Sequence, residues 1–157
     1  MNKETLIAKA ETTIDAPPAK IWNALTDPAL IKQYMFGSDV KSSWKAGGDI
    51  VWKGQWHGKE YEDHGKILEM VPNERLKYTH FSPLSGLEDQ PSNYHTVTID
   101  LKSTGDQTNV VLLQDNNDTE EQKHQFEKNW AMMLSSLKKL IEKGNGFQMN
   151  QMNEDLY

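Results

Sequence analysis

The stretch from Asp118 to Gly144, DTEEQKHQFEKNWAMMLSSLKKLIEKG, carries the longest regular pattern in the chain and sets what the remainder must provide. Apolar residues fall at Phe126, Trp130, Met133, Leu134, Leu137, Leu140 and Ile141, in steps of three and four that keep one stripe on one side of a helix. Glu127, Lys128, Ser135, Lys138 and Glu142 occupy the opposite side. Asp118 is placed to accept from the free N–H groups of the first turn, Glu120 and Glu121 sit at the positive end of the dipole, and Gly144 can close the helix in a left-handed conformation. A stripe this wide is not stable alone in water. The other residues must therefore build a large apolar surface to receive it.

Those 157 residues suit one domain, expected over residues 1–144, with the polar residues 145–157 as a loose tail. Seventeen basic against 23 acidic side chains give a net charge of -6, which repels a phosphate backbone, so no nucleic-acid partner is expected. There is no Cys, which removes disulfides, thiolate chemistry and Cys-based zinc sites. The first residues lack an apolar core of signal-peptide length, and nowhere do ~18 apolar residues run together, so no membrane insertion and a cytoplasmic location are expected.

In chain order, Thr5 to Ile14 reads as a strand stopped by Asp15-Ala16-Pro17-Pro18. Ile21, Trp22 and Leu25 then mark a short helix, and Asp27-Pro28 opens a second through Tyr34, with Asp as cap and Pro at the first helical position. From Val40 the period becomes two: Ile50, Trp52, Gly54 and Trp56 share a strand face. His57-Gly58 is a turn, and Tyr61 to Met70 continues with mixed parity that a bulge near Gly65 would reconcile. Arg75 to Phe81 puts Leu76, Tyr78 and His80 on one face. Ser82 to Asn93 is a long polar loop, a candidate rim or lid. His95, Val97, Ile99 and Leu101 begin a hairpin that turns at Ser103-Thr104-Gly105-Asp106 and returns over Thr108 to Gln114. Hairpin-joined strands and one long helix predict an α+β fold, an antiparallel sheet whose apolar face the helix covers.

Three motifs carry a resemblance: TTIDAPPAKIWNALTDPALIKQYM, GKILEMVPNERLKYTHF and NWAMMLSSLKKLIEKG. In this order, across residues 7 to 144, the chain resembles the family of activator-of-heat-shock-chaperone-ATPase homologues (AHSA-type), within the START-like, birch-pollen-allergen-like (SRPBCC) superfamily. The resemblance implies a helix-grip fold, a curved antiparallel sheet wrapped around the C-terminal helix with a cavity between them. It also implies one of three uses: carrying an apolar ligand, stimulating the ATPase of the ninety-kilodalton heat-shock chaperone in a stress response, or cyclase- or hydratase-type catalysis.

The residues themselves narrow the chemistry. The histidines His57, His64, His80, His95 and His124 show no metal-site spacing, and neither a phosphate loop nor a serine nucleophile elbow is present, so no metal or cofactor is expected. His80 and His95 share parity with apolar strand residues and are either hydrogen-bonded core histidines or polar anchors in an apolar pocket. Trp22, Tyr34, Trp52, Trp56, Tyr78, Phe126 and Trp130 are each readable as core. Together with Met133, Leu134 and Leu137 they form a candidate wall for a lipid-like or aromatic ligand. An enzyme would need an acid or base held by burial, for which only His80, His95, Tyr78, Asp63 and His64 qualify. No catalytic residue is assigned, and binding of a small apolar molecule is the expected function.

Overall fold

The computed structural model describes residues 6–143 apart from His57 and the side chain of Trp56. The expected turn at His57, the helix stop at Gly144 and the tail at 145–157 lie outside the described residues. Seven strands form one antiparallel sheet: β1 (Ala8–Ile14), β2 (Asp39–Ser42), β3 (Asp49–Trp56), β4 (Lys59–Val71), β5 (Arg75–His80), β6 (His95–Ser103) and β7 (Thr108–Gln114). Their spatial order is β1-β7-β6-β5-β4-β3-β2. Two short helices, α1 (Pro18–Thr26) and α2 (Pro28–Tyr34), follow the first strand, and α3 (Glu120–Lys143) ends the fold. This is the helix-grip architecture.

Local chemistry explains most boundaries. Asp27 caps α2 by accepting from the Ala29 N–H at 2.9 Å, with Pro28 first in the helix where its missing N–H costs nothing. The cap of α3 is Thr119 rather than Asp118: Thr119 Oγ1 accepts from the Gln122 N–H at 3.0 Å, while Gln122 Oε1 accepts from the Asp118 N–H at 2.7 Å. The cap thus lies one residue later than expected, with Gln122 also holding the residue before it. The first strand starts at Ala8, not Thr5, and β5 ends at His80, with Phe81 joined to His64 by an isolated bridge.

The bulge in β4 also lies elsewhere. Register against β5 slips between Ile67 and Glu69, which throws Leu68 out to solvent and lets Ile67 and Met70 both turn inward. Gly65 has a different task. A Cβ there would stand 1.8 Å from the Thr79 carbonyl oxygen, so only glycine permits β4 and β5 to approach so closely.

The stripe of α3 packs on the concave face of the sheet, where Met133, Leu134, Leu137, Leu140 and Ile141 are buried with Ile99, Val110 and Leu112. Its flank closes the sheet's first edge. β1 has a strand on one side only, and the backbone groups on its other side need partners. Glu127 accepts from the Lys9 N–H at 3.0 Å, Glu142 accepts from the Asp15 N–H at 2.8 Å, and Lys138 donates to the Thr13 carbonyl and to Glu142.

Two expectations follow. Leu137 is wholly buried, so Leu137→Ala should lower unfolding free energy by ~3 kcal/mol in urea titrations. The Lys9 N–H bond holds Glu127 below the usual carboxylate range; for Glu142 burial acts the other way, but the bonds from Lys138 and the Asp15 N–H outweigh it. Both folded values lie below the unfolded one. Their stabilisation is therefore complete above about pH 5 and is lost as pH falls through the folded values. Urea midpoints measured from pH 7 to pH 3 should fall with acid, and a Glu127→Gln/Glu142→Gln protein should be ~1 kcal/mol weaker at pH 7 with a flatter acid limb.

Candidate functional site

Between sheet and helices the interior holds a cavity of about 30 Å³. Tyr34, Trp52, Tyr78 and Met133 from the expected wall line it, with Met35, Val40 and Trp44 on its α2–β2 side. That volume admits no more than a few water molecules, far less than the ligand space the resemblance implies. Side chains have filled the grip. Leu134 and Leu137 lie fully buried in the core away from the cavity, and Trp22 is half-buried on α1 against that core. Met132 is on the exposed side of α3.

The polar edges of two aromatic residues are already engaged. Tyr34 donates its hydroxyl to the Ala24 carbonyl at 2.9 Å, tying α2 to α1, and burial raises its pKa far above the ordinary phenol value. Trp130 is half-buried, and its indole N–H donates to the buried Gln114 side chain at the end of β7. Asn117 continues this tie by donating to the Leu6 carbonyl at 2.9 Å.

At one border of the cavity the aromatic wall meets three ionisable groups. Trp52 contacts Tyr78 at a ring separation of 5.2 Å and His80 edge-on at 5.1 Å. Pairing of β3 with β4 sets Trp52 opposite Asp63, and pairing of β5 with β6 sets His80 opposite His95. Across the close approach at Gly65, His80 Nε2 lies 2.9 Å from Asp63 Oδ2. A carboxylate oxygen can only accept, so His80 carries its proton on Nε2. Asp63 is 16% exposed, and its other oxygen is buried without a hydrogen-bond partner among the described residues.

His95 packs its ring on Phe126 at 5.3 Å and directs Nδ1 to the Asp115 carbonyl at 2.9 Å. The carbonyl fixes the proton on Nδ1. Burial, with His80 as a lesser contributor, lowers the His95 pKa against the opposing bond to Asp115. The ring is accordingly neutral at pH 7, with Nε2 as an acceptor. Asp63 joins His80, His95, Phe126 and Trp52 although it is absent from the expected wall. It shares strand parity with Tyr61, Gly65 and Ile67, and the β3–β4 register determines its place opposite Trp52.

His64, the next residue along β4, faces the other way. Its Nε2 meets Asp89 Oδ2 at 2.9 Å and the Tyr94 hydroxyl at 3.1 Å, and Tyr94 also donates to Asp89. The Tyr94 bond leads in holding the Asp89 carboxyl below its usual range, while burial and Asp89 push Tyr94 up to about 12. Phe81 stacks on Tyr94 at 5.1 Å. The long loop is thus two 3₁₀ turns fastened to the outer face of β4 rather than laid across the concave side.

The His95 arrangement can be checked by nitrogen-15 NMR. The ring should show the Nδ1–H tautomer at pH 7 and titrate below pH 6.5, and since its folded pKa is depressed, it should reduce stability only as pH falls below about 6.5.

Comparison with known proteins supplies the lineage. The solution structure of a protein from Cytophaga hutchinsonii is 50% identical, spans 91% of this chain and 97% of its own, and superposes with a TM-score of 0.80. The solution structure of the Aha1 dimer from Colwellia psychrerythraea is 25% identical over 89% of this chain and 98% of its own, at a TM-score of 0.68. A Mesorhizobium loti crystal structure, 24% identical over 88% and 98% of the two chains with a TM-score of 0.71, shares the fold. A search of curated proteins finds no match. The sequence model for Activator of Hsp90 ATPase homolog 1-like protein matches residues 15–142, which agrees with the three motifs and the helix-grip sheet, and the chain belongs to that family.

Proposed function

We propose that this protein reversibly binds a small, mainly apolar molecule between the sheet and α3. The observation that carries the reading is a carboxylate and two imidazoles, all partly buried, at the border of an aromatic wall. Burying such groups costs stability unless every polar atom is matched, and one Asp63 oxygen is not. The arrangement is a poor way to hold a core together and a good way to orient a ligand.

A cavity of about 30 Å³ must enlarge for this to happen. The α2–β2 side is where it does so. Met35 and Trp44 are half-buried there, and Phe36 and Trp44 hold φ values of 56° and 55°, which bulky residues adopt at a cost of ~1–2 kcal/mol each. A rearrangement that releases this strain offsets part of the cost of opening. Tyr34, Trp52, Tyr78 and Met133 then supply the apolar contact, while His80 and His95 orient the polar end.

A screen by tryptophan fluorescence of fatty acids, flavonoid-like phenols and polycyclic aromatics tests this. At least one class should give a saturable change with a Kd of ~1–100 μM, and Trp52→Leu should weaken it about tenfold. If no class responds at ~100 μM, the ligand reading fails.

A second reading has its own support in the family assignment and in the 25% identity to the Colwellia Aha1 protein. On this reading the domain stimulates a heat-shock chaperone's ATPase. Adding the purified protein to the ninety-kilodalton chaperone of its own organism should raise the ATPase rate, and an unchanged rate would remove that reading.

A further inference from the structure

Resting on the ligand-binding reading, we infer that the Asp63–His80–His95 cluster selects an apolar ligand whose head donates hydrogen bonds, a hydroxyl or an ammonium, and rejects one headed by a carboxylate. Hydrogen-bond inventory decides the polarity of the site. His80 spends its Nε2–H on Asp63, which leaves the second Asp63 oxygen buried and unpartnered. His95 spends its Nδ1–H on the Asp115 carbonyl, which leaves Nε2 of a neutral ring as a lone pair. Two acceptors thus stand on β4 and β6, on either side of His80 on β5, at the end of the aromatic wall. A ligand hydroxyl or ammonium supplies what both lack.

Charge acts in the same direction. Among the described residues the only ionic partner of Asp63 is His80, and no Lys or Arg pairs with the cluster. A carboxylate head would meet a like charge in a site only partly open to water, where neither solvent nor a cation offsets the repulsion. Fatty acids should therefore be the wrong chemistry for an otherwise suitable apolar wall, and neutral phenols, alcohols or amines the right one. Asp63 is the specificity-determining residue, with His95 assisting.

The experiment compares four probes that share one ring system: naphthalene, 2-naphthol, 2-naphthylmethylamine and 2-naphthoate, titrated by calorimetry at neutral pH. The naphthol and the amine should each bind about tenfold or more tightly than the naphthoate. Asp63→Asn presents an amide donor to the same space and should compress the naphthol-to-naphthoate ratio to about threefold or less. His95→Phe keeps a ring against Phe126 and removes the acceptor. It should weaken naphthol without improving naphthoate, and it provides the test if the Asp63 variant does not fold. Naphthoate binding as tightly as naphthol, or a ratio unchanged in both variants, overturns the inference while leaving the ligand reading intact. Failure of all four probes to bind overturns this inference, and the ligand reading falls with it only if the fluorescence screen is silent as well.

Discussion

Everything in this fold depends on how α3 meets β1. A seven-stranded antiparallel sheet that does not close leaves backbone groups bare along each outer strand, and β1 is one of those strands. α3 lays its apolar stripe on the concave face and uses the residues beside that stripe, Glu127, Lys138 and Glu142, as hydrogen-bond partners for Lys9, Thr13 and Asp15. One helix thus covers the sheet face and partners part of the sheet edge. The other edge, β2, is flanked by α2, where Lys32 meets Asp39 at 3.0 Å.

How far the sequence reveals this depends on the range of the interaction. α3 was legible because its stripe is a local property, and the choice between Asp118 and Thr119 as cap was not, since both residue types cap well and only the Gln122 bond separates them. Alternation correctly turned His80 and His95 to the concave face. It could not locate the bulge: Gly65 looked like the irregular residue, but its missing side chain serves the close approach to Thr79, and the slip falls at Leu68. Asp63 was harder still. Its partnership with His80 joins the adjacent strands β4 and β5 and exists only once their pairing, with its slip between Ile67 and Glu69, is fixed.

The interior combines nearly complete packing with an incompletely satisfied polar cluster. Fifty per cent identity to the Cytophaga protein and the family match account for the first feature, since the fold needs its core. They do not account for the second. One Asp63 oxygen is buried without a partner among the described residues, which costs stability, and Phe36 and Trp44 store backbone strain on the cavity's α2–β2 side. Tension between filling and opening is the physical content of the proposed carrier role. The loop at 82–94 takes no part in it, because His64, Asp89 and Tyr94 fasten it to the opposite face of β4.

The most direct measurement of where a ligand sits is a set of intermolecular nuclear Overhauser effects from bound 2-naphthol to the protein. The account requires cross-peaks to the buried Met133 methyl and to the ring protons of Trp52 and His80, because these enclose the cavity and border its polar end. Cross-peaks confined to the exposed side chains of Leu84, Leu87 or Met132 would place the ligand on the surface and contradict the account.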